Sequence, residues 1–232
     1  MFLGHYGVAL ALKRVEPKVS LGTLFVAAQL ADLLWGCFIL LGWEHARIVP
    51  DPNPLLSFEF LDFPISHSLV AAVAWAIAAA AAYYSWPTRD TNRHWQASAL
   101  VGAAVASHYP LDVLVHLRDL PLAGNDSPRL GLGLWNHFGV SVALELLMLA
   151  LGLAVYVRFR TRRHPVRAGR LAVVGVLLVA IYVAALVAPP PPGMTVVAVS
   201  DIVCILLAAV LAAWADRQAS SAELAAAAHA VR

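Results

Sequence analysis

The chain is poor in charge. Of its 232 residues only 13% are Asp, Glu, Lys or Arg, against 61% hydrophobic, and the mean hydropathy is +0.74. A soluble domain carries about a quarter charged residues, so this scarcity excludes an ordinary water-soluble globule and implies a membrane protein. Cysteine is scarcer still: Cys37 and Cys204 both lie inside apolar runs, which excludes a disulfide framework and leaves two small core residues. A net charge of +2, scattered along the chain, argues against a nucleic-acid partner. The first basic residues, Lys13 and Arg14, follow the first apolar stretch instead of preceding it, so no cleavable signal peptide is expected. There is no Gly-x-Ser-x-Gly nucleophile motif, no internal repeat and no second domain.

Long apolar runs are what the chain does have. Met1–Leu12 is too short to cross a hydrocarbon core of ~30 Å and reads as a short N-terminal apolar helix. Full spans are expected at about Leu21–Trp43, Pro64–Trp86, Trp95–Leu117, Leu134–Val157, Leu171–Ala188 and Met194–Trp214. The expected fold is therefore all-α: a polytopic membrane helix bundle of about six transmembrane helices plus the short N-terminal helix. Residues 1–215 form one integral membrane domain and 216–232 an Ala-rich tail. The loop Glu44–Phe63 is polar and Pro-rich, with Phe58, Phe60 and Phe63 as interfacial aromatics; Arg118–Gly133 reads as turns.

Lys and Arg divide unevenly between alternate loops. Thirteen of the 16 fall in Lys13–Lys18, Arg89 and Arg93, Arg158–Arg170 and the tail; the others are Arg47, Arg118 and Arg129. The positive-inside rule puts the larger set, and the C-terminus, in the cytoplasm of a bacterial-type inner (plasma) membrane. At 1.5 Å per residue, His108 then lies about 20 Å above the cytoplasmic end of its span, and Asp32 about 17 Å up the first. Polar groups far apart in sequence thus gather toward the outer half of the bilayer.

No Lys or Arg occurs inside any of the six spans, yet carboxylates and imidazoles do. His108, Asp112 and His116 recur at i, i+4 and i+8, one stripe of a helix. An ionisable group at a helix centre costs ~2.5–3.5 kcal/mol to insert, so such a stripe faces a site rather than lipid. Two imidazoles and a carboxylate at this spacing favour a metal site over a hydrogen-bonded seam between helices. Asp32 has no basic partner in its span and needs a cation or a proton. His67, flanked by Ser66 and Ser68, and His5 in the N-terminal segment complete the expected ligand set: His5, Asp32, His67, His108, Asp112 and His116. The ion is divalent, zinc ahead of manganese or iron. Glu145 or Asp32 is the expected proton acceptor, and Ser66, Ser68, Arg118, Arg129 and His137 are expected substrate contacts.

His5, Asp32, Ser66-His67-Ser68, and Ser107-His108 with Asp112 resemble, in order and spacing over about residues 1–120, the family of LexA-regulated, membrane-bound, predicted metal-dependent hydrolases. Members of that family carry an N-terminal His, a Pro-Asp-x-Asp-type acidic motif, a Thr/Ser-His-Ser motif and a His-x-x-x-Asp motif. The acidic motif here has one Asp, in Gln29-Leu30-Ala31-Asp32.

The expected activity is metal-assisted hydrolysis of an amphipathic (phospho)ester, such as a phospholipid or lipid-linked phosphate. A metal lowers the pKa of bound water from ~15.7 toward ~7 and polarises the scissile bond. The alternative is an ion- or proton-coupled transporter using the same buried groups. Against it stand the absence of an inverted repeat and the gathering of polar groups on one side.

Overall fold

In lipid, a run of uncharged apolar residues satisfies its backbone by forming a helix. A computed structural model of the chain describes residues 1–86, 94–160 and 168–217. Arg89, Arg93, most of the basic stretch between Arg158 and Arg170, and the tail beyond Arg217 lie outside the described residues. The helices are α1 (Leu3–Leu12), α2 (Leu21–Ala28), α3 (Leu30–Leu41), α4 (Pro64–His67), α5 (Leu69–Ser85), α6 (His94–Ala106), α7 (His108–Val115), α8 (Phe138–Arg160), α9 (Ala168–Val187) and α10 (Met194–Asp216). The fold is an all-α helical bundle.

Three of the expected spans are broken, each for a local reason. The first bends by 57° at Gln29, between α2 and α3. The second breaks at Ser68, whose extended backbone lets its hydroxyl accept the Ala71 N–H and cap α5. The third is interrupted at Ser107, because Pro110 has no N–H to offer the carbonyl of Ala106. Among the described residues, four helices are long and apolar enough to cross a membrane, or five if the bent α2–α3 pair is one span. The second expected span, Pro64–Trp86, falls short: α5 has 17 residues, and α4 before it is a single turn, separated by the extended Ser68.

The outward faces stay apolar. Ile77, Val176, Val187 and Val210 are each about two-thirds or more exposed, a pattern that suits lipid and not water. Inside, α1 runs against α8 at backbone contact. A Cβ on Gly7 would sit 2.4 Å from the Met148 carbonyl oxygen, and one on Gly152 2.2 Å from the Gly7 carbonyl oxygen. Small residues permit this approach where lipid offers no hydrophobic drive to push helices together. Around it, Tyr6, Leu10, Leu24, Phe25, Leu100 and Leu178 build the main core. At the far end of α1, the buried Lys13 ammonium pairs with Asp216 on α10 at 2.5 Å. Tyr156 donates to the other oxygen of that carboxylate at 2.9 Å.

The two loops at the opposite end are more regular than expected. Glu44–Phe63 contains an antiparallel hairpin, β1 (His45–Ile48) with β2 (Phe58–Asp62). Alternation in Phe58-Glu59-Phe60-Leu61-Asp62 turns Phe60 inward onto Trp35 and Phe63. Phe63, expected at the interface, is buried. Arg118–Gly133 is mainly turns, closed by a two-residue ladder between β3 (Leu120–Pro121) and β4 (Arg129–Leu130). Gly131, at φ +154°, lies so close to Leu117 that any Cβ would overlap its carbonyl. That contact holds the second loop down over the end of α7.

Candidate metal centre

The breaks in the spans are what build the site. Because α2 stops at Ala28, the carbonyl of that residue has no partner one turn on. It accepts a hydrogen bond from His108 Nδ1 at 2.8 Å. The hydrogen of His108 is thereby assigned to Nδ1, and the lone pair to Nε2. That Nε2 is buried and faces Asp112 Oδ2, on the next turn of α7, at 2.9 Å. Neither atom makes a hydrogen bond among the described residues. With His108 neutral, two lone-pair acceptors meet in a dry place, which is unfavourable unless a cation, a proton or a metal ion, lies between them.

Other elements bring further donors to the same point. Asp32, in the first turn of α3, places Oδ1 3.2 Å from His67 Nε2 and 3.6 Å from His108 Nε2. His67, the last residue of α4, places Nε2 3.8 Å from Asp112 Oδ2. His5 on α1 sends Nε2 to within 3.1 Å of Asp112 Oδ1, and its ring stacks on His108 at 3.9 Å. The α-amino group of Met1 lies 2.6 Å from the same Asp112 oxygen. Two three-residue sets, His5–Asp32–His108 and His67–His108–Asp112, hold their ligand atoms within 4.8 Å of one another. In a tetrahedral zinc site, bonds of about 2.0–2.1 Å set ligand atoms about 3.3–3.4 Å apart. The separations from 2.9 to 3.8 Å bracket that value, so small side-chain rotations would bring the donors onto one ion.

His116 stands at the edge of this cluster. Its Nδ1 is 3.1 Å from Asp119 Oδ1, and its Nε2 is 3.9 Å from Asp112 Oδ2. The ring is walled by Trp135 at 4.1 Å and Phe60 at 5.2 Å, both from the loops. A small cavity of about 10 Å³, room for about one water, adjoins the cluster, with Ala31, Ala72, Trp75 and Val105 as apolar walls and Ser66, His67 and His108 at its polar end.

The remaining expected residues lie in other settings. Glu145 is buried, but its two carboxylate oxygens accept the Phe2 and Gly4 N–H groups at 2.9 and 2.8 Å, capping α1. The Ser66 hydroxyl is held by Glu44 and His67, and that of Ser68 by its own helix. Arg118 and His137 are exposed, and Arg129 reaches the Asn125 carbonyl at 3.4 Å. On α10, Asp201 buries one carboxylate oxygen that has no hydrogen-bond partner among the described residues.

Two partners of the cluster went unnoticed in the sequence. Asp119 follows His116 by three residues, a spacing that continues the stripe. Glu44, just beyond the first span, carries no local signal; it meets Ser66 only because the hairpin turns the chain back. No protein-family model, curated protein or solved structure matches this chain.

Proposed function

We propose that the protein is a divalent-metal-dependent hydrolase embedded in a bacterial-type inner membrane, with its site in the outer half of the bilayer. His108 Nε2 and Asp112 Oδ2, buried, 2.9 Å apart and without a hydrogen-bond partner among the described residues, carry this reading. The residues that gather there are those through which the chain resembles the LexA-regulated membrane-bound hydrolases. A divalent ion would supply Lewis-acid polarisation of the scissile bond and a nucleophilic water at neutral pH. Proton acceptance falls to Asp32, whose side chain is 25% exposed where that of Asp112 is 1% exposed. The cavity beside the histidines has apolar walls and room for about one water, so an amphipathic ester would bring its polar group there with its chain outside, along the apolar faces of the bundle.

Metal analysis of the purified full-length protein tests this. Wild type is expected to hold a stoichiometric transition metal that His108→Ala and Asp112→Asn lose. A lipid ester or lipid phosphate panel should be hydrolysed in a chelator-sensitive way. Wild type without bound metal refutes the site; metal without hydrolysis assigns the cluster to transport instead.

A further inference from the structure

We propose that Glu44 and Ser66 are positioning residues that lock His67 into the tautomer able to bind metal, an inference that rests on the metal reading above. Glu44 is buried, at 1% exposure, with no Lys or Arg bonded to it among the described residues. Three donors converge on it instead. Oε1 accepts the backbone N–H groups of Ile65 at 2.7 Å and Ser66 at 2.8 Å, and Oε2 accepts the Ser66 hydroxyl at 2.5 Å. A carboxyl group surrounded by donors is an ionised acceptor. Ser66 has one hydrogen on Oγ, and Glu44 takes it. Toward His67 Nδ1, 2.7 Å away, Ser66 Oγ can therefore only accept. Neutral His67 must then carry its hydrogen on Nδ1, which leaves the Nε2 lone pair for a cation beside Asp32 and Asp112; a proton there makes the 3.2 Å hydrogen bond to Asp32 Oδ1.

The consequence reaches beyond orientation. With Glu44 at the outer end, negative charge is relayed through the serine to the imidazole, and Nε2 becomes a stronger donor to a cation. The same bonds fix the ring, since rotating His67 would strand both the serine and a buried carboxylate. His108 is held by a backbone carbonyl and His67 by a relayed carboxylate, so the two imidazoles are fixed by different partners.

Two measurements on the full-length protein in lipid nanodiscs test the relay. In metal-free, ¹⁵N-histidine-labelled protein, held at a pH where His67 is neutral, the His67 signals, assigned by their loss in His67→Gln, should show a protonated Nδ1 and a bare Nε2. Ser66→Ala should turn them into a tautomer mixture, and Ser66→Thr, which keeps the hydroxyl, should restore them. In competition with a chelating dye, Ser66→Ala and Glu44→Gln should weaken Zn²⁺ binding by about 10–100-fold, with Ser66→Thr near wild type. A neutral His67 with its hydrogen on Nε2 in wild type overturns the proposal. So does Ser66→Ala with unaltered nitrogen shifts and zinc affinity. If wild type binds no zinc, the metal reading fails, and the nitrogen shifts alone decide the relay.

Discussion

Asp32→Asn separates a metal site from a self-contained polar network, because the two respond with opposite sign. The amide is isosteric and replaces an acceptor with a donor beside two imidazole nitrogens, 3.2 and 3.6 Å away. Without metal, and at a pH where His67 is neutral, the Asn N–H can donate to His67 Nε2, whereas the Asp32 carboxylate makes its 3.2 Å hydrogen bond only to a protonated ring; the new bond is worth ~1 kcal/mol. Metal-free Asp32→Asn should therefore melt no lower than metal-free wild type. With metal the order reverses. An ion at 100 times its Kd stabilises the native state by about 2.7 kcal/mol, which is roughly 5–11 °C for a chain of this size. Loss of a ligand should cost at least the ~100-fold that loss of an outer partner can cost. The same ion concentration then stabilises the variant by only about 0.4 kcal/mol, under about 2 °C. The assay is thermal unfolding in detergent with and without Zn²⁺, scanned at one rate. An Asp32→Asn protein that melts lower without metal, yet gains as much from zinc as wild type, refutes this account.

Three further outcomes are expected. Glu145→Gln gives up the charged acceptor for the Phe2 and Gly4 amides and should lose about 1.5–3 kcal/mol in unfolding experiments; a fall in turnover at unaltered stability would make Glu145 a proton carrier instead. Gly7→Ala forces a methyl against the Met148 carbonyl, so α1 should part from α8 at a cost of ~1–3 kcal/mol, with weaker metal binding as His5 withdraws. His116→Ala should leave metal content unaltered and affinity within about tenfold, since His116 stands 3.9 Å from Asp112 and outside both ligand sets; loss of the metal would place it inside.

The helical stripe of His108 and Asp112 was legible because i, i+4 spacing survives any arrangement of the surrounding helices. The partnership of Asp32 and His67 with it was also legible, through depth along the spans and the lack of any intramembrane cation to pair with Asp32. The breaks at Gln29, Ser68 and Ser107 were not, because hydropathy reads through a kink that leaves composition unaltered. Those breaks matter most to the chemistry: only an interrupted α2 frees the Ala28 carbonyl for His108. Glu44 escaped for a different reason. Its partner is 22 residues away across a hairpin whose alternating Phe residues read equally well as interfacial anchors. Glu145, expected as a proton acceptor, accepts the Phe2 and Gly4 N–H groups, two backbone partners that leave no mark in the sequence.

Helix α1 is held at both tips. At one end Glu145 grips its first amides, and at the other Lys13 reaches Asp216, so the helix is pinned lengthwise as well as sideways. Sliding it by a single residue would move His5 by about 1.5 Å and disturb both attachments together. The rod therefore works as a gauge. It transmits the spacing between the two ends of the bundle to the position of one imidazole, and a lesion at Asp216, remote from the histidines, should register as a misplaced His5.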